Sequence, residues 1–452
     1  MENYVDKCVD NGGIKRDISN TKVAEGYIHR VISRFLVRFP HIFDGKRYKL
    51  INFAPKLEMV DNYASNQTIS KLVSTAGVDN RKPQWNNLSG KKKRQKVLHL
   101  STAYHPIHFL FLKKKKEKNN NYKMLKKEWI EQGFIDEPVA AGTDLKTEIR
   151  RLCEEKDAII LAHYYTVGDI QDVADFVGDS LALARKAADT DARMMVMCGV
   201  HFMAETCKLL SPEKTVLCPD LNAGCSLADS CKADDLKKFK DEHPGYQVIS
   251  YVNTTAAVKA LTDVVVTSGN AKKVVDQLPA GNNYIFGPDY NLGNYINEVT
   301  GRQMLLWNGG CHVHERFSVN KIAELKKQYP EATVMAHLEC KGPVLALADV
   351  KGSTATMLQY SQQSDKKQFI VATEAGILHE MQRTCPDKEF IPVPPEISES
   401  GLECSCNECQ YMKMNTLLKI YNCLKYEWPS VEVDAEIAQE AVKPIQRMLE
   451  LS

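Results

Sequence analysis

The chain has 452 residues, with 59 Lys+Arg, 57 Asp+Glu and 14 cysteines, and a chain of this length is typical of about two to four domains. Its composition, 44% hydrophobic and 26% charged, excludes wholesale disorder, a collagen-like repeat and a long coiled coil. The longest apolar runs are far shorter than the ~20 residues of a membrane span, and the acidic start of the chain is unlike a secretory signal. We therefore expect a cytoplasmic protein, with no membrane span, whose cysteines are thiols, metal ligands or core residues and not a disulfide framework.

The near-neutral net charge of +2 conceals two segments of opposite charge. Residues 1–123 contain 25 Lys+Arg against 10 Asp+Glu, whereas residues 124–452 contain 34 against 47 and hold every cysteine except Cys8. Lysine runs at 91–96 and 113–118 favour disorder because like charges repel. We therefore predict a basic, low-complexity and mostly disordered extension, residues 1–123, ahead of a folded body, residues 124–452.

One stretch of the extension, residues 26–39, has a helical pattern with an apolar face and arginines four residues apart. It is compatible with a membrane-surface helix or an organelle presequence, but we favour an ordinary amphipathic helix or no stable element at all. Acidic residues near the start argue against a transit peptide. The lysine runs carry no base-reading motif, so we expect no nucleic-acid partner. A further possibility is that the functional chain starts at Met124 and the extension is dispensable.

An apolar strand recurs three times along the body, and each copy has polar or aromatic side chains at its carboxyl end. The three strands are predicted at residues 158–165, 247–255 and 332–340. A pair of small polar residues follows each strand; the pairs are Asp179-Ser180, Thr267-Ser268 and Ser353-Thr354. The steps from Ser180 to Ser268 and from Ser268 to Thr354 are 88 and 86 residues. Spacing this regular indicates an internal triplication.

Each copy continues with two more predicted strands. The second strands are 193–199, 283–289 and 368–374, and the third strands are 214–220, 303–309 and 389–395. Helical patterns separate them, including one over residues 170–188 and one that stops at Pro330. Strands that alternate with helices predict parallel sheets covered on both faces. We therefore predict an α/β fold with three pseudo-symmetric three-layer α/β/α units, about 150–240, 241–325 and 326–415, flanked by N- and C-terminal helical segments.

The carboxyl ends of the first strands are the expected ligand-binding edge of such units. The side chains predicted there are His163, Tyr165, Tyr251, Asn253, His337 and Glu339. Three equivalent units around a pseudo-threefold axis would bring these side chains together at one central site.

Each unit also reaches a cysteine in a polar, loop-like context: Cys225, Cys311 and Cys409. Thiolates select zinc or an iron–sulfur cluster. Structural zinc sites usually draw on two close cysteine pairs, and the cluster of Cys404, Cys406 and Cys409 has no second pair to accompany it. Three separated thiolates would suit a cluster with one open iron, which acts as a Lewis acid. The alternative is packing, because free cysteine is often buried, and cysteines in apolar surroundings elsewhere are predicted to be core residues.

About ten ordered motifs of the body resemble the quinolinate synthase family. They begin with HYYTVGDIQDVADFVGDS and continue through AGCSLADS, YVNTTAAVKA, FGPDYNLGNYI, WNGGCHVHERFS, GSTATM, TEAGILHEM and CNECQYMKMNTL. The resemblance covers about residues 124–450 and none of the extension. It implies one [4Fe–4S] cluster per chain, held by Cys225, Cys311 and Cys409. It also implies that iminoaspartate and dihydroxyacetone phosphate are condensed to quinolinate, phosphate and water in de novo NAD biosynthesis, with L-aspartate oxidase or aspartate dehydrogenase supplying the first substrate.

The resemblance also implies roles for individual residues. The acid–base and positioning groups would be Tyr165, Glu339, His163, Tyr251 and His337, with Glu339 as a base near the cluster. The substrate-binding set would add Asn253 for a carboxylate and, for anions, Asp179, Ser180, Ser268, Ser353 and Thr354. The ordinary alternatives are helix N-caps for the small polar residues and core positions for the aromatic and histidine side chains.

Several positions carry weaker expectations. Met203 and Lys413 match the family less specifically, and His314 is either a neighbour of the Cys311 ligand or an ordinary loop histidine. Leu338 replaces a proline that is common in the family. A redox disulfide between Cys406 and Cys409 stays open, because it would compete with ligation.

Two other functions are compatible with the motifs. An iron–sulfur hydro-lyase acting on another hydroxy acid would keep the three cysteines without needing the phosphate-binding hydroxyls. A zinc-binding interaction protein would use the basic extension to dock on nucleic acid or membrane.

Overall fold

Residues 125–396 and 407–452 are described by a computed structural model. The predictions for residues 1–123, and for Cys404 and Cys406, lie outside these described residues. The short helix α1 (Lys127–Gln132) and helix α2 (Leu145–Lys156) precede the first sheet.

Three four-stranded parallel sheets follow one another along the chain. Unit one contains β1 (Ala158–His163), α3 (Gly168–Val173), β2 (Phe176–Gly178), α4 (Ser180–Asp189), β3 (Met194–Cys198), α5 (His201–Leu210), β4 (Thr215–Leu217), α6 (Ser226–Asp229) and α7 (Ala233–Glu242). Unit two contains β5 (Gln247–Tyr251), α8 (Ala256–Lys259), β6 (Val264–Val266), α9 (Ala271–Gln277), β7 (Tyr284–Gly287), α10 (Tyr290–Thr300) and β8 (Leu305–Leu306).

Unit three begins after a 3-10 turn, His314–Arg316, and repeats the same order. It contains α11 (Val319–Gln328), β9 (Thr333–His337), α12 (Gly342–Leu347), β10 (Val350–Gly352), α13 (Thr354–Gln363), β11 (Gln368–Ala372), α14 (Ile377–Thr384) and β12 (Glu389–Pro392). A 3-10 turn, Met412–Met414, then leads to α15 (Leu417–Tyr426) and α16 (Ala435–Leu451). The strand orders, β2-β1-β3-β4, β6-β5-β7-β8 and β10-β9-β11-β12, are the same in all three units.

Both faces of each sheet are covered at its first strand, because successive residues of that strand pack in different apolar clusters. In unit one, Ile160 and Leu161 belong to separate clusters. The same separation holds for Val248 and Ile249 in unit two, and for Val334 and Met335 in unit three. The predicted fold of three pseudo-symmetric three-layer units is confirmed.

The predicted helical pattern over residues 170–188 is wrong in its middle. Helix α3 ends at Val173, and β2 pairs in parallel with β1 through Val177 and Ala162 before α4 starts at Ser180. Each unit has such a short extra strand, β2, β6 or β10, so the sheets have four strands and not the predicted three. Pairing with a buried strand therefore outweighs the local helical period.

An aspartate in front of each short strand repeats the same contact in all three units. The carboxylates of Asp175, Asp263 and Asp349 accept hydrogen bonds from backbone N–H groups of the first strands, those of Ile160 at 2.7 Å, Val248 at 2.7 Å and Val334 at 2.8 Å. Each carboxylate also lies near a cation from the helix that precedes the first strand of its unit. The pairs are Arg150–Asp175 at 2.8 Å, Lys240–Asp263 at 3.8 Å and Lys326–Asp349 at 3.7 Å. The triplication therefore extends to individual hydrogen bonds.

The two C-terminal helices complete the first two units. Helix α15 packs on α2, and α16 packs on β6 and α8. Across residues 125–396 and 407–452, no helix has both the length and the apolar character needed to cross a bilayer.

Candidate active site

One cavity of about 700 Å³, counting its open mouth, is lined by residues of all three units. The predicted residues that line it are His163, Tyr165, Asp179, Ser180, Cys225, Tyr251, Asn253, Ser268, Cys311, His337, Glu339, Thr354 and Cys409. Ser353 is buried beside Thr354, and its hydroxyl caps α13 by accepting the N–H of Thr356 at 3.2 Å. The structure therefore brings the strand ends and the three separated cysteines together.

The two strand-end histidines are oriented by the backbone that follows them. The N–H of Tyr165 donates to Nδ1 of His163 at 3.2 Å, and the N–H of Glu339 donates to Nδ1 of His337 at 3.3 Å. Since Nδ1 accepts, the proton of each neutral ring is on Nε2. Burial lowers the pKa of both His163 and His337 to about 3, so both rings are neutral near pH 7.

Glu339 is buried at the centre of the polar side chains. Its Oε1 accepts the hydroxyl of Tyr251 at 2.5 Å, and its Oε2 lies 3.1 Å from Nδ1 of His314. Burial alone disfavours the carboxylate, but the adjacent His314 ring and the hydrogen bond from Tyr251 outweigh it and hold the pKa of Glu339 below its usual range. Glu339 is therefore an ionised carboxylate in the cavity wall.

A chain of close polar contacts connects Tyr165 with Glu339. The Tyr165 hydroxyl lies 2.8 Å from Oγ1 of Thr373, and that atom lies 2.9 Å from Nε2 of His314. Since His314 Nδ1 faces the carboxylate, Nε2 accepts from Thr373 and Thr373 accepts from Tyr165. Burial raises the pKa of Tyr165 well above its ordinary value, so the phenol is protonated. His314, one of two alternatives in the sequence, is thus a buried member of this network, and Thr373 was not predicted.

A second unpredicted residue, Glu374, anchors the loop of Cys409. Its Oε1 accepts the N–H of Cys409 at 2.9 Å and contacts Nζ of Lys413 at 2.8 Å, while its Oε2 accepts the N–H of Gly376 at 2.7 Å. Nζ of Lys413 also donates to the carbonyl oxygen of Tyr165 at 2.8 Å. Thr373 and Glu374 both follow β11, so the strand-end rule would have found them had it been applied to the second strands as well.

The three cavity cysteines differ from the other cysteines of the described chain. Cys225, Cys311 and Cys409 are partly exposed, whereas the remaining described cysteines are buried. Burial raises the pKa of Cys225 to about 12 and that of Cys409 to about 11. Burial, together with the nearby Glu339 and the other two thiols, also raises the pKa of Cys311 well above its ordinary value. Three adjacent thiolates are therefore unfavourable without a positive charge between them.

This donor set fits a thiophilic metal centre. Ligand atoms of Cys311, His314 and Glu339 lie within 4.8 Å of one another, so nitrogen and oxygen donors are within reach of the same centre. Buried cysteines such as Cys198 and Cys423 pack with apolar residues, which confirms the prediction that they are core residues.

Helix starts of units one and three meet a unit-two loop at another wall of the cavity. Asp179 caps α4 by accepting the N–H of Ala182 at 3.0 Å, and burial raises the pKa of its carboxyl. A methyl group at Gly269 would lie 3.4 Å from Oγ of Ser353 and 3.7 Å from Oδ2 of Asp179. Ser180 and Thr354 begin α4 and α13, so their N–H groups have no partner within those helices. Such a wall suits an anionic ligand.

Three further positions complete the cavity. Within the described residues, Oδ1 of Asn253 is buried without a hydrogen-bond partner, which leaves it available to a ligand. Met203 lines the cavity, as its weaker match suggested. Leu338 is buried in the apolar core, while its neighbours His337 and Glu339 face the cavity.

Comparisons with known proteins agree with the motifs. A family model described as "Quinolinate synthetase A protein" matches residues 147–450. A protein of Microcystis aeruginosa named quinolinate synthase is 52% identical over 309 residues, which are 68% of this chain and 95% of the relative. Proteins of the same name from Chloroherpeton thalassium and Nostoc sp. are 53% and 52% identical over 309 and 316 residues, covering 68% and 70% of this chain and 95% and 96% of the relatives.

Proposed function

The chain belongs to the quinolinate synthase family, and we propose that it is a cytoplasmic transferase that condenses iminoaspartate with dihydroxyacetone phosphate. The products are quinolinate, phosphate and water, in the de novo biosynthesis of NAD. The observation that carries this proposal is one cavity that combines three thiols, one from each unit, with an ionised carboxylate, neutral imidazoles and a protonated phenol. L-aspartate oxidase or aspartate dehydrogenase would supply the iminoaspartate.

The proposed cofactor is one [4Fe–4S] cluster held by Cys225, Cys311 and Cys409. The fit rests on the chemistry of the donor set, since three thiols of one cavity wall, each with a raised pKa, require a compensating cation to ionise together. When bound, such a cluster with one iron free of cysteine supplies Lewis acidity for dehydration. Glu374 would keep Cys409 in place through its backbone N–H.

The proton-transfer groups follow from the hydrogen bonds of the cavity. Glu339 is the proposed base, because it is the ionised carboxylate that faces the substrate space. Tyr251 stabilises that carboxylate and can return a proton through the same 2.5 Å contact. His163 and His337 are proposed to donate hydrogen bonds to the substrate through Nε2, because backbone N–H groups occupy Nδ1.

The anionic ends of the two substrates would bind at the helix starts. Phosphate and carboxylate groups suit free N–H groups and hydroxyls, which Ser180, Ser268 and Thr354 present to the cavity. Asp179 and Ser353 would organise these helix starts through their capping bonds. Asn253 is the proposed partner of a substrate carboxylate, to which its Nδ2 would donate, while its buried Oδ1, which has no partner among the described residues, would accept from a donor group of the substrate.

The test is anaerobic purification of the full chain. Iron, sulfide and the visible spectrum are measured, and quinolinate formation is assayed with dihydroxyacetone phosphate and freshly generated iminoaspartate. Cys311→Ser should lose the cluster and the activity, whereas Cys231→Ser, a buried cysteine in a different apolar cluster, should keep both. A full complement of iron and full activity in Cys311→Ser would contradict the proposal. Zinc in place of iron would favour an interaction protein, and iron without quinolinate would favour another hydro-lyase.

A further inference from the structure

Lys259 is a fully buried lysine in the wall behind the cavity. It ends α8, and its Nζ donates to the carbonyl oxygens of Val252, at 2.9 Å, and of Thr254. These two residues flank Asn253, so one side chain holds the peptide groups on both sides of a cavity residue. The Lys259 ammonium also lies 5.4 Å from the ring centre of Phe202, another residue of the cavity wall.

Gln171 makes the equivalent contacts in unit one. Its Nε2 lies 2.8 Å from the carbonyl oxygen of Tyr164 and 2.9 Å from that of Thr166, the residues on either side of Tyr165. The same atom also lies 2.9 Å from the carbonyl oxygen of Gly376. Gln171 and Lys259 are 88 residues apart, as are Tyr165 and Asn253. The same position therefore holds the same turn in two units.

Unit three holds the equivalent turn through a different contact. The position 86 residues after Lys259 is Leu345, a buried apolar residue. The turn there is held instead at the carbonyl oxygen of Glu339 itself, which lies 3.2 Å from Nδ2 of Asn291. An apolar residue at this position is therefore compatible with the fold.

A buried lysine is costly to keep where an apolar residue would pack. Burial lowers the pKa of Lys259 to about 8, although Glu205 and Cys225 act in the opposite direction. Since Leu345 shows that the fold does not require a polar side chain here, the ammonium must contribute something other than packing. Its contacts point to the turn of Asn253.

We infer that Lys259 and Gln171 are positioning residues, which fix the turns that carry Asn253 and Tyr165 and thereby set where these side chains meet the substrate. The effect on substrate rests on the proposed function, whereas the effect on the turns does not. Lys259 acts through Asn253 and not by contact with the ligand.

A double-mutant cycle on the holoenzyme tests this inference. Dissociation constants of quinolinate and Michaelis constants are measured for Lys259→Met, Asn253→Ala and the double variant. Lys259→Met should weaken quinolinate binding about 10-fold, and it should add little once Asn253 is absent, because the two act in series. Equal losses in both backgrounds, or unchanged affinity in Lys259→Met, would overturn the inference.

A matched control is Lys388→Met. The Lys388 ammonium also holds two carbonyl oxygens, of Ser361 at 2.6 Å and Ser364 at 2.5 Å, and also lies over a ring, that of Phe369, but these residues do not line the cavity. Lys388→Met should therefore leave affinity unchanged. Lys259→Gln, which installs the donor used in unit one, should recover part of the affinity.

A crystal structure of Lys259→Met or Gln171→Leu separates this inference from the proposed function. The turn of Asn253 or Tyr165 should be displaced or lose order, whatever reaction the protein catalyses. An unchanged turn in both variants would overturn the inference even if quinolinate synthesis is established. Failure of the wild-type protein to bind quinolinate, with displaced turns in the variants, would reject only the proposed function.

Discussion

The buried histidines of the cavity make the stability of the fold depend on pH. The pKa of His163 and of His337 is about 3 in the folded chain, against an ordinary value of 6.5. Between these values the unfolded chain binds more protons than the folded chain, so stability is lost as the pH falls below about 6.5. Each histidine should contribute about 1.4 kcal/mol per pH unit in this window. Glu339, whose pKa is lowered, adds its own loss only below about 4.5.

We therefore expect the melting temperature to fall when the pH is lowered from 7 to 5, and to fall less in His163→Asn. The measurement is thermal unfolding followed by circular dichroism at several pH values. His243→Asn, a histidine outside the cavity lining, is the control and should keep the wild-type slope. A His163→Asn variant with the wild-type slope would show that this ring is not neutral when buried.

Tyr251→Phe tests whether the Tyr251 hydroxyl keeps the Glu339 carboxylate ionised. Removing the hydroxyl that donates to Glu339 at 2.5 Å should raise the pKa of Glu339 and lower kcat/KM by about 10- to 100-fold. The acid limb of the pH–rate profile should move to higher pH, because the base ionises less readily. Tyr284→Phe removes a comparable buried hydroxyl, bonded to Pro279 at 3.0 Å, and should leave the profile unchanged. An unshifted acid limb in Tyr251→Phe would argue against Glu339 as the base.

Sequence patterns predicted the cavity residues that follow the first strand of each unit. They did not predict the cavity residues whose roles depend on contacts between units. Tyr165, Asn253 and Glu339 were predictable because the carboxyl ends of parallel strands meet at one edge. Thr373 and Glu374 were missed because the strand-end rule was applied only to first strands; their roles depend on contacts with Tyr165 and Cys409, which are distant in sequence. Periodicity contains no information about such pairs.

At the scale of elements, the short strands β2, β6 and β10 show where local pattern fails. A three-residue strand has too few residues to display a period of two, and the neighbouring helices impose their own period on the sequence. The aspartate before each strand, Asp175, Asp263 or Asp349, was the usable signal, since these residues are 88 and 86 apart, as the small polar residues are. Internal repetition was therefore more informative than propensity.

Asp263→Ala tests the repeated aspartate. The buried N–H of Val248 would lose its acceptor, which should lower the free energy of unfolding by about 1–3 kcal/mol. Asp241→Ala removes an exposed aspartate whose ion pair with Lys237 is screened by solvent, so it should destabilise the chain much less. Chemical denaturation of both variants provides the comparison. Equal, small losses would mean that solvent or a neighbouring group replaces the carboxylate.

At the scale of the whole molecule, the three units are incomplete without the C-terminal helices. Helix α15 returns to α2, and α16 covers β6 and α8, so segments after unit three close units one and two. The sequence predicted these helical segments but not the elements on which they pack, because packing between distant elements leaves no local pattern. The central site was predictable for a different reason, since symmetry alone brings equivalent strand ends together.

The length of the relatives leads to a prediction for the extension. The 309 residues matched in the Microcystis aeruginosa relative are 95% of its length, which leaves almost no room for a counterpart of residues 1–123. The folded body also begins close to Met124, because Trp129 is buried against Trp428 and its ring centre lies 5.1 Å from that of Tyr426. A chain that starts at Met124 should therefore fold and bind iron like the full chain, with kcat/KM unchanged within about twofold.

The comparison requires anaerobic preparations of both chains, with melting temperature, iron content and quinolinate formation measured side by side. Because residues 1–123 carry a net charge of +15 (25 Lys+Arg against 10 Asp+Glu), removing them should also abolish retention of the chain on a cation-exchange resin near pH 7. Unchanged iron content and quinolinate formation, together with lost retention on the resin, would show that the extension is not needed for catalysis. Aggregation of the shortened chain, or loss of its iron, would instead make the extension part of the folded enzyme.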